Sequence, residues 1–151
     1  FATFGSMLRE EEKTQISGAS YMAGATFLCA WLSTISESFA ACSCISLTLF
    51  ILGDAAAALV GKAMGRIRIG KKTLEGAIAC FLLCVVLAYW VFPILPDFLE
   101  KWGGVFYFWQ AACVALMISV LELFPVQTGK VRWNDNLYVP VVVTFIAAVI
   151  R

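Results

Sequence analysis

Runs of apolar residues long enough to cross a bilayer constrain this chain more than any other feature. A bilayer core takes about 20 apolar residues per helix, and stretches of that size lie near 18–36, 39–60, 75–92, 104–124 and 137–150. No strand pattern competes, because an open sheet edge in lipid leaves backbone N–H and C=O groups without partners. The expected fold class is therefore all-α, a polytopic integral membrane helical bundle of about five transmembrane helices. Only 14% of the residues are charged, against about a quarter in soluble domains. A single domain over residues 1–151 accounts for the whole chain. Phe1 to Met7 lack the basic start and cleavage site of a signal peptide, and the chain does not begin with Met, so N-terminal truncation or processing is expected.

If successive connections alternate sides, the N-terminus, the 61–74 loop and the 125–136 loop share one face. That face carries Arg9, Lys13, Lys62, Arg66, Arg68, Lys71, Lys72, Lys130 and Arg132, and the other carries only Lys101 and Arg151. The positive-inside rule places the first face in the cytoplasm. The charged start from Met7 to Gln15 is expected to lie along that surface as an amphipathic helix. Tyr89, Trp90, Phe92, Trp102, Tyr107 and Trp109 are expected to form an interfacial belt on the opposite side, where Pro93 and Pro96 end the third helix. The six cysteines all fall in apolar stretches, which predicts buried reduced thiols rather than disulfides or metal ligands. A net charge of +1 gives no reason to expect a nucleic-acid partner.

Histidine is absent, so proton transfer and metal binding fall to carboxylates. Asp54 follows an uninterrupted apolar run, where a charge costs about 2.5–3.5 kcal/mol on insertion scales and usually marks function. Gly53, Ala57, Gly61 and Gly65 recur every four residues and form a stripe that permits close helix packing, within the chain or in a homodimer. The same glycines, with Gly70, also let backbone approach phosphate. Lys62, Arg66, Lys71 and Lys72 can neutralise a triphosphate, and a carboxylate can hold Mg²⁺. Thr73 is placed to cap the third helix, whose N-terminal amides favour an anion. Glu75, in the first turn, suits either the helix dipole or a metal. Near the end of the chain, Glu122, Asp135 and Asn136 return to the same face as Asp54. Asp135 and Asn136 alone describe an ordinary helix cap, but three separated carboxylates on one face favour a shared metal and base site.

These residues resemble a known family. Gly53-Asp54-Ala55-Ala56-Ala57-Ala58-Leu59-Val60-Gly61-Lys62-Ala63-Met64-Gly65, followed by Lys72-Thr73-Leu74-Glu75-Gly76, is similar to the signature of the CTP-dependent lipid kinases, which include dolichol, phytol and diacylglycerol kinases. Asp135-Asn136-Leu137 with Pro140 resembles that family's second signature, and Glu122 matches an acid ahead of it. The resemblance implies transfer of the γ-phosphoryl of CTP to a membrane lipid alcohol, assisted by Mg²⁺. It implies metal binding at Asp54, with Glu75 and Asp135 as further candidates. It implies phosphate contacts at Lys62, Lys71 and Lys72 within a nucleotide site that also includes Gly61, Gly65, Arg66, Thr73, Glu75, Gly76 and Asn136. Asp54, Glu122 and Asp135 are the expected catalytic carboxylates, and which of them takes the alcohol proton is open. Asn134 stands where some relatives have a second acid.

Two other functions fit parts of the pattern. A CTP:phosphatidate cytidylyltransferase shares the Lys-Thr-x-Glu-Gly element, but its histidine-containing C-terminal signature has no counterpart here. A small ion-coupled transporter would use Asp54 and Glu122 as ion ligands within the membrane.

Overall fold

The computed structural model describes residues 17–124, 127–128, 131–132 and 134–151, the side chains of 127–128 and 131–132 excepted. The charged start from Met7 to Gln15, Lys130 and the side chain of Arg132 lie outside the described residues. The architecture is all-helical. In chain order, α1 is Gly18–Ser33, α2 Glu37–Met64, α3 Leu74–Val86, α4 Phe98–Trp102, α5 Phe108–Leu123 and α6 Asp135–Ile150. Two antiparallel hairpins of two-residue strands were not anticipated: β1 Arg68–Ile69 pairs with β2 Lys72–Thr73, and β3 Gln127–Thr128 with β4 Val131–Arg132. Both lie in connections between helices, where backbone polar groups can pair across a tight turn.

Among the described residues two helices are long and apolar enough to cross a membrane, α2 and the continuous stretch Leu74–Ile94 that begins with α3. At 28 residues α2 is about 42 Å long, longer than a bilayer core is thick. The remaining apolar helices α1, α5 and α6 have 16 residues each, or about 24 Å. They are shorter than the five-span expectation because turns take up the ends of their apolar runs. α1 stops before the turn that leads to Ser36, which caps α2. The approach to α5 passes through Gly103 and Gly104, both with positive φ.

The helix that begins at Leu74 changes character before Pro93. At Leu87–Val91 it widens into a π turn, with Phe92 N–H reaching Leu87 O, and it ends in a single 3₁₀ turn at Phe92–Ile94. Proline supplies no amide donor and its ring clashes with the carbonyl four residues back, and a π turn is a common way for a helix to absorb such a fault.

α2 is the hub and contacts each of the other five helices. Its packing depends on small residues: a Cβ added at Gly53 would lie 2.7 Å from Cys80 Sγ and 2.9 Å from Cys84 Sγ. The interior holds many small side chains, among them Ala25, Ala111, Ala115 and Ala147, while Phe27, Trp31, Leu59, Trp90, Phe145 and Val149 point outward. Large apolar side chains on the exterior suit helices that face lipid, and the interior also holds Ile45, Leu49, Phe50, Trp102 and Ile118. The cysteines are free, and Cys29, Cys42, Cys80 and Cys84 are buried, whereas Cys44 is exposed on the apolar exterior.

The aromatic belt is only partly as expected. Tyr89, Trp90, Tyr107 and Trp109 are exposed, but Phe92 and Trp102 are buried. Phe92, Phe98, Trp102 and Phe106 form one edge-to-face and stacked cluster, and Trp102 Nε1 donates to Gln110 Oε1 at 3.3 Å. The short helix α4 folds back and presents both Phe98 and Trp102 to the bundle, a tertiary event with no signature in the linear pattern.

Candidate active site

The site is assembled from α2, the β1–β2 hairpin and the facing ends of α5 and α6. The hairpin forms because Gly70 takes φ +63° at the first position of its two-residue turn, the position that needs glycine in a type II′ turn. Leu74 N–H closes the loop onto Ile67 O at 2.9 Å. Thr73 then caps α3, its Oγ1 accepting from Gly76 N–H at 3.2 Å. The hairpin presses on the end of α2 through glycines: a Cβ at Gly61 would meet Thr73 Oγ1 at 2.6 Å, and one at Gly76 would meet Ala57 O at 2.7 Å. Gly65 ends α2 beside the same threonine. The small-residue stripe thus seats the hairpin on the helix.

That seating aims Lys72 back along α2. Asp54 lies ten residues before the end of α2, about 15 Å down the helix. Lys72 Nζ reaches Asp54 Oδ1 at 3.3 Å, Glu122 Oε1 at 3.1 Å and Asp135 Oδ2 at 3.4 Å. One ammonium therefore touches three carboxylates from three different helices. The side chains are graded in exposure: Glu122 4%, Asp135 24%, Lys72 32% and Asp54 41%. Burial works against the charge on Lys72, but the carboxylates of Glu122, Asp135 and Asp54 outweigh it and hold the pKa of the ammonium above the ordinary lysine value.

Neighbouring hydrogen bonds fix the carboxylates. Ser119 Oγ donates to Ala77 O at 2.7 Å, locking α5 to α3 one turn before Glu122. Tyr138 OH donates to Leu121 O at 3.0 Å and ties α6 to α5. Asn134 caps α6, its Oδ1 accepting from Asn136 N–H at 3.0 Å, and Asp135 Oδ1 accepts from the same amide at 3.0 Å. The other oxygen of Asp135 is the one on Lys72. Glu122 Oε2 is buried and has no close hydrogen-bond partner, and the Cys80 thiol is the neighbouring group that interacts with this carboxyl.

The sequence-derived candidates divide into three groups. Asp54, Glu122 and Asp135 are brought together, with Lys72 at their centre. Lys62 in the last turn of α2, Arg66 just beyond it and Lys71 in the hairpin turn are exposed. Glu75 is placed elsewhere, since its Oε1 and Oε2 accept from Ile67 N–H at 3.1 and 3.3 Å, so it braces the loop ahead of the hairpin. Asn136 Nδ2 donates to Gly18 O at 3.4 Å and links α6 to α1. Sequence reading did not single out Ser119, Tyr138 or Cys80. Ser119 and Glu122 are one turn apart on α5, and Asp135 and Tyr138 one turn apart on α6, a spacing that puts each pair on one helix face.

The donor set at the centre is all carboxylate oxygen, the chemistry that suits a hard divalent cation, and the orphaned Glu122 Oε2 is an available donor. Among the described residues, no three acidic or thiol groups are arranged to hold a metal ion.

Fold and site define a helical bundle with an ion cluster that is partly exposed at Asp54, Lys72 and Asp135 and buried at Glu122. Comparisons with protein-family models, with curated proteins and with solved structures gave no match.

Proposed function

We propose that this chain is a multi-pass membrane enzyme, a CTP-dependent kinase that phosphorylates a lipid alcohol at the cytoplasmic face. The observation that carries this reading is the convergence of Asp54, Glu122 and Asp135 on Lys72, at the end of the bundle that also carries the exposed basic residues Lys62, Arg66 and Lys71. Phosphoryl transfer needs positioning and charge stabilisation more than covalent chemistry, and a chain without histidine can supply both.

In this reading Lys62, Arg66 and Lys71 hold the triphosphate at the membrane surface. Asp54 and Asp135 hold Mg²⁺, which when bound neutralises charge on the phosphates. The lipid hydroxyl oxygen bonds to the γ-phosphorus, the bond to the β-phosphate oxygen breaks, CDP leaves, and the hydroxyl proton passes to a carboxylate of the cluster. Asp54 is the most exposed of the three carboxylates, although it lies well inside the apolar helix α2, so an alcohol arriving from lipid meets it first. The acceptor class is a hydroxyl on an apolar tail, as in a polyprenol, phytol or diacylglycerol. The excess of basic residues at this end of the bundle favours its cytoplasmic placement.

The test is a screen of purified protein with CTP, ATP, GTP and UTP, Mg²⁺ and a panel of lipid alcohols, read by mass spectrometry. Lipid phosphate and CDP formed selectively from CTP is the expected result. A CDP-lipid with pyrophosphate would replace the kinase by a cytidylyltransferase, and no reaction with any nucleotide would reject both.

A further inference from the structure

The β1–β2 hairpin and the helix end it sits on carry an exposed surface of mixed character. Met64 is 69% and Ile67 55% exposed, and Lys62, Arg66 and Arg68 stand exposed around them. Among the described residues, the ion pairs involve Lys72 and Lys101 and none of these three cations. Glu75 is the only carboxylate between positions 55 and 96, and it accepts from the Ile67 amide. At the opposite rim, by contrast, Lys101 is held by Glu37 and Arg151 by Ser38.

Position decides what such a surface meets. The connection 65–73 joins α2 to the Leu74–Ile94 stretch, the two helices long and apolar enough to cross a membrane. It is folded against them, since Leu74 N–H closes on Ile67 O and Thr73 sits against Gly61 and Gly65 at the end of α2. The hairpin is therefore held at the level of the helix ends, where a bilayer has its headgroups. In water Met64 and Ile67 would leave apolar surface uncovered. At the boundary of headgroups and acyl chains the apolar tips meet lipid and the cations beside them meet phosphate.

We propose that Arg66, Ile67 and Arg68, with Lys62 and Met64 beside them, form a docking site for anionic phospholipid headgroups that clamps the hairpin to the leaflet. Guanidinium groups suit a lipid phosphodiester, because each can give paired N–H bonds to its free oxygens. Arg68 and Lys72 lie on the two paired strands of one tight hairpin, so a headgroup that holds Arg68 also steadies the strand that aims Lys72 at Asp54, Glu122 and Asp135. The proposal rests on the membrane placement above and not on the kinase chemistry, in which Met64, Ile67 and Arg68 have no part.

The test is backbone hydrogen exchange of the full chain, read by mass spectrometry, in nanodiscs of phosphatidylcholine alone or mixed with phosphatidylglycerol, with no nucleotide or lipid alcohol. Amides of 66–73 are expected to exchange at least about fivefold more slowly with phosphatidylglycerol, the worth of one basic residue at an anionic leaflet, while the connection 103–106 at the opposite rim is unchanged. Arg68→Gln, at an exposed position, is expected to lose most of that slowing, as is the wild type in concentrated KCl, which screens exposed charge. Inorganic phosphate added to phosphatidylcholine nanodiscs is expected to produce none. Equal exchange in the two nanodiscs would overturn the proposal. So would slowing that survives in Arg68→Gln or in concentrated KCl, or that inorganic phosphate reproduces. Protein that enters neither nanodisc would overturn the membrane placement as well, an outcome distinct from lipid-independent exchange in nanodiscs that hold the protein.

Discussion

The two ends of the bundle treat charge in opposite ways. At the end where α1 meets α2, Lys101 Nζ pairs with Glu37 Oε2 at 3.2 Å on the surface, both side chains largely exposed. Arg151 donates to Ser38 Oγ and, at 3.2 Å, to Lys101 O. These contacts gather the α1–α2 turn, α4 and the end of α6 at one rim, beside a dry aromatic cluster. At the other end, Lys72 is drawn inward to Asp54, and Glu122 is buried with one oxygen unused. A surface ion pair adds little and is replaceable. An ion pair with a buried member, as at Glu122, is strongly destabilising to break.

The comparison sharpens if variants at the two ends separate in activity. Asp54→Asn is expected to abolish lipid phosphate formation, a fall of at least about 100-fold, while the protein still elutes as a single species in detergent. Normal turnover by that variant would erase the distinction between the ends. Lys72→Gln is expected to raise the apparent KM for CTP by about tenfold, with a smaller change in kcat, as for a residue that meets the nucleotide. Gly53→Ala probes packing without charge: its Cβ would press on the sulfurs of Cys80 and Cys84, and a loss of about 1–3 kcal/mol is expected. Combining it with Cys80→Ala and Cys84→Ala should recover part of that loss in a thermal melt. Lys101→Gln, at the opposite rim, is expected to change neither turnover nor thermal midpoint measurably.

How much was legible in the sequence follows the same division. The acids at 54, 122 and 135 stand out because charge is rare in apolar helices, and alternating connections bring them to one end. The small-residue stripe at 53, 57, 61 and 65 announces close packing, and Thr73 reads as a cap in either picture. The role of Lys72 was not legible. In sequence it sits beside Lys71 and looks like another phosphate-binding cation, and only the seating of the hairpin on Gly61 and Gly65 turns it inward. Glu75 misleads similarly, because its use depends on a loop that folds back to bring Ile67 N–H within reach. Trp102 reads as a lipid anchor until α4 turns it into the core. Helix lengths were overestimated wherever glycines or caps lay inside an apolar run, since hydropathy does not register turns.

The most direct measurement is CTP-dependent lipid phosphate formation by Glu122→Gln beside Lys101→Gln, both purified and reconstituted at equal protein. Glutamine keeps the shape of Glu122 and removes its charge, so a fall of at least about 100-fold in that variant alone is the result expected if the Lys72 cluster is the working site. Equal, wild-type rates in both variants would contradict it and reduce the cluster to a structural ion pair.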